Sequence, residues 1–305
     1  MERDTGDLLV YVAKSDAFDI NALPIKVGRL RFSFSPPLWT PETSRNGSWA
    51  QTLTVTNGTV AIQATSGYRI SVIVDANAPV LRVTGNHVAG FQLRAALELV
   101  HPPSNWYRNM TRSYHDLTRV PDSPLGPFNA SAPNTNPNGF GSYCLERFLE
   151  PDTVVGSAEL SGIAGLSRSV VWYHRNVDTA PAHGVPTFYQ NVMRTQGLDP
   201  EAFPDPLLGR TFGASMAGQG FSKIATSDDV LVASSGPGSQ VVLEVILQTV
   251  EACPDQAAFL KALAATVASE AARGNLLSKR AAHNAVWEEL WSRSHVNISI
   301  RGLVS

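Results

Sequence analysis

The feature that most narrows what this chain can fold into is a side-chain alternation of period two across its first hundred residues. Phe91, Leu93, Ala95, Leu97 and Leu99 are apolar at every second position, with Gln92, Arg94 and Glu98 among the residues between them. Leu30, Phe32 and Phe34 alternate in the same way against Arg29, Arg31, Ser33 and Ser35. Successive strand residues point to opposite faces, so each stretch buries one face and wets the other. Residues 52–56, 60–64 and 68–74 repeat the pattern. Such grammar predicts antiparallel β layers packed by their apolar faces.

Turn chemistry divides the strands. Asn57-Gly58 lies between two alternating runs and readily takes the positive φ values of a tight turn, which predicts one hairpin over Leu53–Ile62. Residues 101–141 are dense in Pro, Asn and Ser and read as a long surface loop. Strand character returns at 154–160, 169–176 and 230–234, and the apolar run 241–250 suits a strand buried on both faces. The stretch Gly213-Ala214-Ser215-Met216-Ala217-Gly218 reads as a flexible connection between strands.

Beyond residue 252 the period lengthens. Pro254 and Asp255 suit a first helical turn, and Phe259, Leu260, Leu263 and Val267 recur at helical spacing as far as Gly274. A second helix puts His283, Trp287 and Trp291 on one face, with Val286 and Leu290 on an adjoining stripe. That face needs a partner surface, either this sandwich or a neighbouring domain, and packing between domains is the role expected of the three residues. The expected organisation is a β-sandwich domain over 1–252 and a helical linker over 253–305.

At 305 residues, 43% of them hydrophobic, the chain can bury a large core. A net charge of -2 with no run of Lys and Arg argues against nucleic acid, and no apolar run reaches the roughly 20 residues a membrane-spanning helix needs. A neutral substrate or partner fits better. Asn46, Asn57, Asn109, Asn129 and Asn297 each begin an Asn-X-Ser/Thr glycosylation acceptor, pointing to a secreted glycoprotein, although no export signal is visible. In an oxidising compartment Cys144 and Cys253 could pair, but their spacing specifies neither a disulfide nor a metal site.

The chemistry-bearing motifs are few. No nucleophile elbow, zinc-binding HExxH helix, phosphate loop or dinucleotide turn is present. Carboxylates cluster at Glu146, Glu150 and Asp152, and at Asp199, Glu201 and Asp205. A glycosidase needs such a pair in space, but loop acids are ordinarily solvated, so no catalytic residue is assigned. His174 and His283 have no ligand partners at metal spacing, so no metal or cofactor is expected. The run Trp172, Tyr173, His174, Arg175 and Asn176 admits two readings. Aromatic faces stack on sugar rings while Arg and Asn bond hydroxyls. Alternatively it is a core strand with Trp172 and His174 on one face and Tyr173 and Arg175 on the other.

Three stretches carry a family resemblance: residues 6–19 continued at 26–31, residues 171–176, and residues 205–213. They resemble the N-terminal domain of domain-of-unknown-function family 5703. Residues 282–294 are similar to the linker that leads out of the sandwich in such proteins. The resemblance implies kinship with fucosidase-type glycoside hydrolases of family 95. In those, a super-sandwich and linker helices precede an (α/α)6 barrel that carries the acid and base carboxylates. It therefore implies a mainly β fold, a large antiparallel super-sandwich followed by linker helices, serving as the non-catalytic module of a glycoside hydrolase. Its partner would be an (α/α)6 catalytic domain, with glycans as ligands. A free-standing lectin-like carbohydrate-binding module is the alternative. Relatives carry a further strand before the equivalent of Met1 and a barrel after that of Ser305, so a truncated chain is expected.

Overall fold

In a computed structural model the described residues are 5–20, 22–40, 49–101, 151–178, 188–224 and 226–294. Their thirteen strands, numbered in chain order, form two antiparallel sheets. The smaller sheet runs β1 (Leu8–Phe18), β2 (Pro24–Ser35), β7 (Phe91–Glu98), β12 (Val230–Ser235), β11 (Ser222–Lys223). The larger begins with β3 (Trp49–Thr54), β4 (Thr59–Ala64), β5 (Tyr68–Val74) and β6 (Val80–His87). It continues through β13 (Gln240–Val250), β10 (Thr211–Gln219), β9 (Val170–Arg175) and β8 (Thr153–Val154).

The alternation explains the layering. Leu30 and Phe32 of β2 and Leu93, Ala95 and Leu97 of β7 enter one continuous core with Ala214 and Met216 of β10 and Leu243, Val245 and Leu247 of β13. Each large side chain so buried contributes about 1.5–3 kcal/mol. A third layer lies on the outer face of the larger sheet. There Val171 of β9 packs with Leu160 of the short helix α1 (Ser157–Leu160), Leu166 and Cys253, and with Phe259, Leu260 and Leu263 of helix α3 (Gln256–Ala272). Helix α2 spans Phe188–Thr195. Helix α4 (Leu276–Arg293) follows α3.

Both long helices begin where side-chain chemistry says they should. Asp255 accepts from the Ala258 N–H at 2.8 Å, and Asn275 accepts from the Ser278 N–H at 3.0 Å, each satisfying a donor the first turn leaves unpaired. Gly274, at φ +93°, ends α3 in a backbone region only glycine enters freely.

Four local expectations change. The β3–β4 hairpin exists, but Thr54 pairs with Thr59, so its loop has four residues rather than two and only Gly58 takes positive φ. Residues 154–160 end β8 at once and turn into α1, because Val155 and Leu160 are drawn into the helical layer. The Gly-rich stretch 213–218 is a central strand rather than a connection. A Cβ on Gly213 would lie 2.1 Å from the Trp172 carbonyl oxygen, and one on Gly218 2.4 Å from that of Val242, so close strand approach selects glycine there. Finally, β13 is apolar on its inner face, while its outer face carries Glu244 into a charged cluster beneath the helices.

Candidate functional site

Two polar centres are buried among the described residues. The first lies between the larger sheet and α3–α4. Arg82, between Leu81 and Val83 of strand β6, pairs with Asp75, Glu270 and Glu244; the Glu244 contact is 2.8 Å. Arg273 reaches Asp75 at 3.1 Å and Glu270 at 2.7 Å, while Lys279 reaches Glu270 at 2.9 Å and Glu244 at 3.2 Å. Three cations meet three carboxylates. Burial alone would push Asp75 and Glu270 up. Hydrogen bonds from Arg273 and Arg82 to Asp75, and from Lys279 and Arg273 to Glu270, outweigh it and hold both below the usual carboxylate range. A cavity of about 250 Å³ has Glu244 and Glu270 in its wall. Glu270 stays ionised there and has no proton to give as a general acid.

The second centre lies where the chain crosses between sheets. His101, just past β7 of the smaller sheet, meets Asp152, just before β8 of the larger, and both meet His174 in β9. The Oδ1 of Asp152 is 3.0 Å from the Nδ1 of His174 and 3.3 Å from the Nδ1 of His101. Its Oδ2 accepts from the His101 backbone N–H at 3.0 Å, and the Asp152 N–H donates to the His101 carbonyl at 2.8 Å. All three residues are at most 5% exposed. One nitrogen from each ring and one carboxylate oxygen lie within 4.8 Å of one another.

Desolvation raises the Asp152 carboxyl, but the bonds to His101 and His174 lower it further, so it is ionised well below neutrality. With Asp152 as a pure acceptor, both rings carry their hydrogen on Nδ1. The Nε2 of His174 is buried with no hydrogen-bond partner among the described residues, and the ring stacks on Phe212 at 5.3 Å.

The run 172–176 divides between two faces. Trp172 is fully buried and its Nε1–H donates to the Val27 carbonyl at 2.7 Å, so neither ring face is open for stacking. Tyr173 packs on Phe259 at 5.3 Å and its hydroxyl bonds Gln256 at 3.0 Å. Arg175 donates to the carbonyls of Cys253 and Pro254, and Asn176 to those of Phe18 and Leu207. A sugar would displace bonds that hold the fold, so only His174 of this run joins a site, through residues distant in sequence.

The tryptophan face of α4 packs on its own sandwich, at the β3–β4 hairpin. His283 Nε2–H donates to the Asn57 carbonyl at 2.7 Å and its Nδ1 accepts from Ala76 at 3.1 Å. Trp287 covers Gly58, whose added Cβ would come within 2.7 Å of the ring, and Trp291 Nε1–H donates to Val55 at 2.8 Å. Asn57 is part of this interface, its Oδ1 accepting from Thr59. The other four glycosylation candidates, Asn46, Asn109, Asn129 and Asn297, lie outside the described residues, as do Glu146, Glu150 and Cys144. The Cys253 thiol donates to the Asp255 carbonyl at 3.2 Å. Asp199 and Asp205 accept from Glu201 and Leu207 backbone N–H groups in local turns.

Sequence reading missed Arg82 and Asp75, whose signal was an arginine flanked by Val80, Leu81 and Val83. It also missed His101, which carries no local signal at all.

No curated protein matches this chain. A solved structure named "Putative kojibiose phosphorylase from human microbiome" aligns at 8% identity with a TM-score of 0.41, over 94% of this chain. This chain spans 32% of that one. A family model described as a domain of unknown function, DUF5703, and specifically its N-terminal part, matches residues 1–296, and the chain therefore belongs to that family.

Proposed function

We propose that the chain is the non-catalytic β-sandwich module of a secreted glycoside hydrolase acting on neutral glycans, and that it supports an (α/α)6 catalytic domain. The observation that carries the non-catalytic part is the state of the carboxylates in the two polar centres. Asp75, Glu270 and Asp152 are each met by cations or ring N–H groups and held below the usual range, whereas an acid catalyst must keep its proton near neutrality. Support for a covering domain comes from α4, which leaves Leu290 40% and Val286 37% exposed on one flank.

The lectin-like alternative rests on one observation. A trough of about 550 Å³ at the mouth of the sandwich is lined by Tyr11, Lys14, Ser15, Val74 and Leu81, with Tyr11 half exposed. An exposed aromatic beside polar groups suits a sugar ring. Incubation of the purified chain with a panel of aryl glycosides and titration with neutral oligosaccharides separates the readings. Neither turnover nor binding is expected of the supporting module. Binding abolished by Tyr11→Ala favours the lectin, and turnover of any glycoside sinks both.

A further inference from the structure

We propose that His101, Asp152 and His174 form a binding site for a divalent transition-metal ion of the zinc type, which pins the crossover between the two sheets. The donor set is two imidazole nitrogens and one carboxylate oxygen, the combination borderline ions such as Zn²⁺ prefer over the all-oxygen cages of Ca²⁺ and Mg²⁺. Ligand atoms bound at ~2.0–2.2 Å around a tetrahedral ion lie about 3–3.5 Å from each other. The Nδ1–Oδ1 separations of 3.0 and 3.3 Å, held by two N–H···O bonds in the ion-free chain, fall in that range; the ion would replace the two Nδ1 hydrogens, each ring carrying its hydrogen on Nε2 instead.

Preorganisation is also present. The Oδ2 of Asp152 is held by the His101 N–H, which leaves Oδ1 as a single ligand atom, and the paired backbones of residues 101 and 152 fix the two ligands against each other. Among the described residues the site has three protein ligands, which leaves one position of a tetrahedral shell for a further donor. Structurally the ion would clamp residues 51 positions apart to a third in β9, and closure entropy grows with the length of chain so joined. The inference is independent of any glycan-directed role.

The test begins with the full chain stripped by a chelator and titrated with Zn²⁺ and Co²⁺. One equivalent per chain is expected, with visible Co²⁺ absorption of a tetrahedral nitrogen–oxygen site and a rise in Tm on Zn²⁺ addition. His101→Gln and the near-isosteric Asp152→Asn should each weaken uptake by more than the ~10–100-fold that loss of an outer-shell partner brings. His283→Gln, on the far helix, should leave uptake unchanged. Circular dichroism confirms that each variant is folded, and Asp152→Asn, which keeps its size, guards against loss of the His101 variant. Absence of stoichiometric uptake, or uptake unchanged in folded Asp152→Asn, overturns the proposal and leaves a purely hydrogen-bonded clamp.

Discussion

The two buried polar centres solve the same problem in opposite ways. Around Arg82, carboxylates and cations are matched one for one, and nearly every donor has a charged acceptor. Around Asp152, one carboxylate serves two imidazoles, and a ring nitrogen of His174 has no partner among the described residues. The first arrangement is saturated and can only hold helices on a sheet. The second is held by two exchangeable Nδ1 hydrogens, which an ion could replace.

Breaking the saturated centre should have the largest effect. Arg82→Met strands Asp75 and Glu270 with fewer cations in a dry layer, and about 3–5 kcal/mol of stability should be lost in urea unfolding. The pH dependence follows from the same pairs. The folded pKa values of Asp75 and Glu270 are depressed, so their stabilisation is complete above the ordinary carboxylate range near ~4 and is lost as pH falls through the lower folded values. The wild-type chain should therefore lose stability steeply below about pH 4. Arg82→Met should flatten that limb, and an unchanged acid limb would show that the cluster is not the source.

The histidine centre should respond more weakly when metal-free. Asp152→Ala leaves two ring N–H groups and the His101 N–H without their acceptor, a loss of about 1–3 kcal/mol. If this variant proves as damaging as Arg82→Met in chelator-treated protein, the distinction between a saturated and an unsaturated centre fails.

Much of the scaffold around both centres was legible in sequence because its signals are local. The alternation at 91–99 and 30–34 gave β7 and β2, and the Pro254-Asp255 start with helical spacing to Gly274 gave α3 within two residues. Strand β10 was not legible: its small residues answer to backbones in β9 and β13, which only the folded sheet brings within reach. The histidine centre was hidden for the same reason. His101 and Asp152 are separated by 51 positions and His174 lies 22 further on, so no spacing rule joins them. Asp152 was visible only as one acid in a cluster, and Trp172 drew attention for an aromatic face that the core covers completely.

The hairpin beneath α4 offers a smaller, third comparison, since it joins helix to sheet by ring packing and single hydrogen bonds from His283 and Trp291 rather than by charge pairs. Gly58 has φ +58° and lies under Trp287, so Gly58→Ala combines left-handed backbone strain with a collision and should destabilise by roughly 1–2 kcal/mol. Protease sensitivity of α4 should rise with it, because the helix must lift.

The mildest change is Trp291→Phe. The indole Nε1–H donates to the Val55 carbonyl at 2.8 Å, but Trp291 is 40% exposed and water can replace the lost partner. Phenylalanine keeps most of the apolar contact with the hairpin while removing the donor, so the change should fall near ~0.5 kcal/mol, the low end for a single hydrogen bond. A loss of several kcal/mol in equilibrium unfolding would mean that packing at the helix tail rivals the buried charges in holding the helical layer. The saturated cluster would then lose its place as the main anchor of that layer.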